Sequence, residues 1–233
     1  MRIFEINEDA QYQDWLERWK IEPERYEIEA LYNAVKLIAK ECKPFLKQVD
    51  YDPFNEYAMF RGIRYTDETL LKKEIRVDGR MPKDTPDQLH NKLNAYFQHH
   101  YGENWRDSIF VTGDDGQAEF YGRSHLTFPI GDFKFLWSPM IRDLNSIVTS
   151  AGLGDVLSLV DYDDPRAKEF KDNFWSAFGK LEHEGQYRDT DLKAGIESMN
   201  EVMIRGYQYY AIPTKLFSKI NPKAFMELLA HEI

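Results

Sequence analysis

Three short segments carry side chains suited to chemistry on a nicotinamide nucleotide: Phe60-Arg61-Gly62, Phe110-Val111-Thr112-Gly113 and Asn200-Glu201-Val202-Met203-Ile204. Each sets one polar or charged residue into an apolar, β-favouring run, which predicts a strand bearing a functional side chain. Breaking a nicotinamide–ribose bond passes through an oxocarbenium-like transition state, as glycoside hydrolysis does. A carboxylate bonded to the ribose 2′-hydroxyl stabilises the charge that develops. The planar fork of arginine suits the pyrophosphate. A hydroxyl on a neighbouring strand can hold the carboxylate in one rotamer. A glycine after the arginine lets backbone approach a ligand closely.

The elements that would position these residues follow from periodicity. Residues 8 to 48 read as helical, with Trp15, Leu16 and Trp19 on one face and Ile28, Leu31, Val35, Ile38 and Ala39 repeating near 3.6. Pro23 begins the second helix or ends the linker before it, and Pro44 breaks or kinks the pattern. Tyr57 to Tyr65 reads as a strand, and Asp67 to Arg80 as a charged loop. A helix then starts with Thr85 as cap and Pro86 in its first turn; Leu89, Leu93, Tyr96, Phe97 and His100 form its stripe and Gly102 ends it. Strands follow at 108–112, 124–128 and 132–137, with one helical turn at 117–121. Helices are expected at 139–150 and 165–181, a polar stretch at 182–200, one final strand at 201–212 and a helix at 214–231. The layout is α+β, with mixed or antiparallel sheets and flanking helices. It divides into an N-terminal helical unit over residues 1–50 and an α+β domain over 51–233.

Bulk properties narrow the classes. Of 233 residues, 42% are hydrophobic and 15% aromatic, so a packed core is expected rather than disorder. A net charge of -10 works against broad binding to nucleic acid or anionic membrane. The single cysteine, Cys42, reads as a core residue in a reducing compartment. Without a leader-like segment or a long apolar run, a cytoplasmic protein that spans no membrane is expected. Neither Gly-x-Gly-x-x-Gly nor a Gly-x4-Gly-Lys-Ser/Thr loop is present.

The order arginine, hydroxyl, glutamate resembles the Arg-Ser/Thr-Glu type of the ADP-ribosyltransferase superfamily. Phe60-Arg61-Gly62 is similar to the family's first strand. Ile109 to Gly113, then Ala118, then Ser124 to Pro129-Ile130-Gly131 is similar to its middle block. Asn200 to Gly206, then Tyr209 to Ile212, resembles its last block. The resemblance covers residues 57 to 212. It implies an ADP-ribosyltransferase-like fold with NAD as substrate and no metal. In it Glu201 is the catalytic glutamate, Thr112 orients the carboxylate, Arg61 binds phosphate and Gly62 meets the carboxamide. Arg64 and Arg80 are further candidates for the dinucleotide, and Tyr121 or Trp137 for stacking on a ring. The block spacing also looks like phage-encoded members, which implies a protein that modifies a host component; the acidity of the chain favours a protein acceptor over nucleic acid.

Two departures bear on activity. Thr112-Gly113 stands where the family shows Ser-Thr-Ser, and Met199 stands two before Glu201, where arginine-modifying members carry glutamate or glutamine. Glu197 lies four before Glu201 and could take that role only across an unusual intervening loop. An arginine acceptor is thereby disfavoured. Another acceptor, NAD hydrolysis and a catalytically inactive binding or virion-associated protein stay open. The remaining signals read as structural. His99 and His100 point in different directions on a helix, His183 has no partners at ligand spacing, and His90 and His125 are isolated. Asp161 to Asp164 lacks calcium-loop spacing, and the tryptophans read as core anchors.

Overall fold

The computed structural model describes residues 2–22, 26–64, 67–79, 87–144, 179, 181, 185–217 and 220–232. These form helices and two antiparallel sheets, an α+β arrangement. The chain divides into two compact units. The first comprises residues 1–74, 114–133 and 206–233, and the second 75–113 and 134–205. Among the described residues no helix is long and apolar enough to cross a membrane.

In the first unit, α1 (Arg2–Trp19), α2 (Tyr26–Glu41) and α3 (Lys43–Gln48) precede β1 (Phe60–Ile63) and β2 (Leu71–Glu74). Pro44 lies in the first turn of α3, where its missing N–H costs nothing, so the helical run breaks at Cys42. The unit continues with α5 (Asp115–Glu119), β4 (Arg123–Ile130), β7 (Gln208–Pro213), α7 (Thr214–Phe217) and α8 (Pro222–Glu232). Its sheet runs β1-β4-β7-β2. An aromatic chain fills the core. Phe128 of β4 meets Phe45 of α3 and Phe54, while Phe54 reaches Phe217 and Phe225, and Phe225 reaches Trp15. The Trp15 indole N–H donates to the Ala224 carbonyl at 3.0 Å.

The charged segment after Asp67 is not all loop, because Leu71 to Glu74 pairs with β7 as an edge strand. Only Leu71 is buried; Lys72, Lys73 and Glu74 face solvent, a pattern that protects an edge from further pairing. Lys72 also reaches the Glu41 carboxylate at 3.1 Å. Tyr210 donates to the same carboxylate at 2.8 Å, and this bond, ahead of Lys72, holds Glu41 below the usual carboxylate range.

In the second unit, α4 (Asp87–Tyr101) is followed by a 3-10 turn (Trp105–Asp107), β3 (Ile109–Val111), β5 (Lys134–Trp137), α6 (Leu192–Glu197) and β6 (Val202–Arg205). Gly102 ends α4 with φ +73, as expected of a helix-terminating glycine. Thr85, Pro86 and Arg80 lie outside the described residues. Leu93, Tyr96 and Phe97 form the buried stripe of α4, whereas His100 is exposed. The sheet runs β3-β6-β5, so β6 is central, and Val202, Met203 and Ile204 are fully buried. Met203 faces Phe110 and Leu136 across its two neighbours, and this row joins Leu93, Phe97 and Tyr187 in one core.

Three expected elements need correction. The final strand is two strands in different sheets, β6 and β7, separated at Gly206-Tyr207. Residues 139–143 form a bent turn rather than a helix and Leu144 is helical; residues 145–150, and most of the helix expected at 165–181, lie outside the described residues. The polar stretch before residue 200 contains α6, capped by the Asp191 side chain accepting from the Ala194 N–H at 3.1 Å.

Candidate functional site

The middle and last segments meet in the second unit. β3 and β6 are antiparallel neighbours with Val111 opposite Val202. Thr112 directly follows Val111 and Glu201 directly precedes Val202, so hydroxyl and carboxylate residues stand at the same end of adjacent strands. Thr112 is buried and Glu201 half-buried. The Thr112 hydroxyl donates to the Met199 carbonyl at 3.0 Å, two residues before the glutamate. Burial and, next, the charge of Glu201 hold the Tyr187 phenol well above its usual range, which puts Tyr187 in the electrostatic field of the candidate carboxylate.

The chain reaches Glu201 through an unusual turn. Met199 has φ +58, a left-handed conformation disfavoured for a side chain with Cβ, and it is about half exposed at 52%. The Asn200 side chain, buried, donates to the Ser138 carbonyl at 2.8 Å. The Glu201 N–H donates to the Arg142 carbonyl, also at 2.8 Å. Ser138 organises the receiving turn. Its hydroxyl accepts from the N–H groups of Met140 and Ile141 at 3.0 and 3.1 Å and donates to the Gly185 carbonyl.

Gly113 has a local physical reason. A Cβ there would lie 2.0 Å from the Ile196 carbonyl oxygen at the end of α6, so no side chain fits. The departure from Ser-Thr-Ser is thus tied to the close approach of α6 to the end of β3. Trp137 does not serve as a stacking surface. It is buried, donates to the Thr190 carbonyl at 2.9 Å and lies against Gly195, where a Cβ would come within 3.0 Å of the indole.

The first segment belongs to the first unit. Arg61 lies within the β1–β4 ladder opposite His125, its guanidinium 5.9 Å from the centre of the Tyr209 ring. A Cβ on Gly62 would meet the Ala118 carbonyl oxygen at 2.3 Å and the Tyr121 and Gly122 backbone within 2.8 Å. The glycine therefore admits the turn after α5 onto β1. Tyr121 is half exposed beside Phe120, which is 89% exposed, and Arg64 is exposed.

His125 is fully buried, and its Nδ1 lies 2.7 Å from the Arg123 carbonyl, which places the proton on Nδ1 when the ring is neutral. Burial, then the positive charges of Lys73, Arg123 and Lys215, holds its pKa below the usual range against that hydrogen bond. Like His125, His90 gains partners only in the fold: its Nε2 lies 3.1 Å from the buried Asp107 carboxylate.

Asn200, Ser138 and the 138–142 turn were invisible as site elements in the sequence. Ser138-Pro139 after an apolar strand signals a turn, but nothing local links it to a residue 62 positions away. Comparison of the chain with protein-family models, curated proteins and solved structures gives no match.

Proposed function

We propose that this chain transfers ADP-ribose from NAD to an acceptor and releases nicotinamide. The bond between nicotinamide and the ribose anomeric carbon breaks, and its electron pair leaves with nicotinamide. The acceptor nucleophile bonds to that carbon and gives its proton to solvent. Glu201 stabilises the developing positive charge through the ribose 2′-hydroxyl. Thr112 orients the chain beside it, and Arg61 binds phosphate, with Arg64, Arg80 and Tyr121 as further contacts to the dinucleotide. An acidic chain, net -10, favours a protein acceptor over a nucleic acid.

One observation carries the reading: the opposition of Val111 and Val202 puts Thr112 and Glu201 at one end of two paired strands, although 89 positions separate them in sequence. The mismatch at Gly113 counts less against it, because the adjacent α6 backbone excludes any side chain there. A second reading, an inactive protein that binds with the same surface, is favoured by the Thr112 hydroxyl being engaged by the Met199 carbonyl and by Met199 itself, which offers no acid, base or amide to an acceptor.

The test is nicotinamide release from NAD by the wild type and Glu201→Gln, with and without host lysate. Release that requires lysate and falls by about 10²-fold or more in the variant supports the transferase. Release without lysate identifies a glycohydrolase. No release, with no NAD binding by calorimetry, leaves the binding protein.

A further inference from the structure

We propose that Asn200 and Ser138 are positioning residues for Glu201, forming a buried side-chain clamp that fixes the glutamate where regular strand pairing ends. The role assigned to Glu201 rests on the reading above; the clamp itself rests on geometry. Three consecutive residues are tied to two other segments, the end of β3 and the turn at 138–142. The Met199 carbonyl accepts from Thr112, the Asn200 amide donates to Ser138, and the Glu201 N–H donates to Arg142. The left-handed turn at Met199 separates this run from α6 and starts the approach to β6.

The ladder does not require these bonds. Val202 to Ile204 is already paired on both sides, with β3 and with β5, and Arg205 is paired with β5. A residue just beyond such a strand would ordinarily fray, and an apolar residue at 200 could fill the same buried volume without a polar group to satisfy. A satisfied buried polar network instead selects one arrangement out of several of similar packing energy. Ser138 fits this role, since its hydroxyl gathers three backbone groups while its carbonyl receives Asn200. The receiving turn is thus held by bonds that do not involve Glu201. Neither side chain touches substrate in this scheme; both act through the backbone of Glu201.

The test is Asn200→Asp, which keeps the shape but turns an oxygen toward the Ser138 carbonyl, with Ser138→Ala as the second variant. Two quantities are measured: nicotinamide release, separated into kcat and KM for NAD, and protection of the Glu201 amide against hydrogen exchange. For Asn200→Asp the expected result is a kcat fall of about 10²-fold, as a misplacement near 1 Å produces, with KM unchanged within about 2-fold. Loss of Glu201 amide protection accompanies it, while Met203 in the ladder stays protected. Ser138→Ala gives the same pattern, smaller. Wild-type kcat together with wild-type Glu201 protection in both variants overturns the clamp. So does a loss of protection spread evenly through β6, which marks general destabilisation. If the wild type itself releases no nicotinamide, the transferase reading fails, and the exchange measurement alone decides the clamp.

Discussion

Arg61 and Glu201 are held in place by different means. Arg61 sits inside a ladder, with hydrogen-bonded neighbours before and after it on β1 and His125 directly opposite. Glu201 sits one residue outside a ladder, and its direction is set by single bonds to Arg142, Ser138 and Thr112 around it. A mid-strand residue inherits its orientation from every pair in the sheet, so no single substitution nearby redirects it. A strand-end residue depends on a few contacts, each of which one substitution removes. The first sheet should therefore tolerate local polar changes and fail through its core, whereas the end of the second should fail locally.

The largest effect should come from breaking the first unit through its packing. Phe128 is fully buried between Phe45 and Phe54, and Phe128→Ala should cost about 3–5 kcal/mol, read from urea unfolding. In the second unit, Gly113→Ala should destabilise by about 1–3 kcal/mol, because the new methyl meets backbone rather than a movable side chain. A Gly113→Ala protein as stable as wild type would show that the end of β3 is looser than described.

Two matched substitutions sharpen the contrast in function. Arg61→Gln should weaken NAD binding by about 1.5–3 kcal/mol, the worth of a charged hydrogen bond, and raise KM more than it lowers kcat. Thr112→Val keeps the shape but strands the Met199 carbonyl, costing about 1–3 kcal/mol of stability, and should lower kcat more than it raises KM. Equal patterns in the two variants would erase the distinction drawn here. Met199→Gly offers a backbone control: glycine accepts φ +58 freely, so the variant should be at least as stable as wild type, whereas Met199→Val should be less so.

The smallest effect is a pH dependence of the first unit. His125 stays neutral in the fold below the pH at which an unfolded histidine takes up its proton, near 6.5. The unfolded chain then binds more protons than the folded one, so stability falls as pH drops below about 6.5 and levels off only below the folded pKa. The groups facing the ring, Lys73 on β2, Arg123 on its own strand, Lys215 on α7 and Arg61 across the ladder, are all cationic, and none relieves this. Urea unfolding at pH 7.5 and 5.5 should show the loss in the wild type and a reduced loss in His125→Gln. Cys42 gives a simpler check. Burial raises its thiol pKa, so alkylation at pH 8 should require unfolding.

Local periodicity made much of the fold legible. The stripe Leu93, Tyr96, Phe97 and the closing Gly102 define α4, and the apolar runs around Arg61, Phe110, Leu126 and Leu136 define β1, β3, β4 and β5. The candidate residues Arg61, Thr112 and Glu201 were legible too, as polar positions within or beside such runs. Leu71 to Glu74 was not, because Leu-Lys-Lys-Glu has no strand periodicity of its own and becomes a strand only by pairing with β7.

By itself the sequence determined which stretches bury an apolar face and which polar residues interrupt them, since helix and strand periods are written over a few neighbouring positions. Tertiary structure alone decided that residues 201 to 212 divide at Gly206 between two sheets, that His125 stands opposite Arg61, and that Asn200 reaches Ser138. Those facts are hydrogen bonds between segments remote in sequence. Such bonds form only when burial of both partners, far from each other along the chain, brings donor and acceptor together.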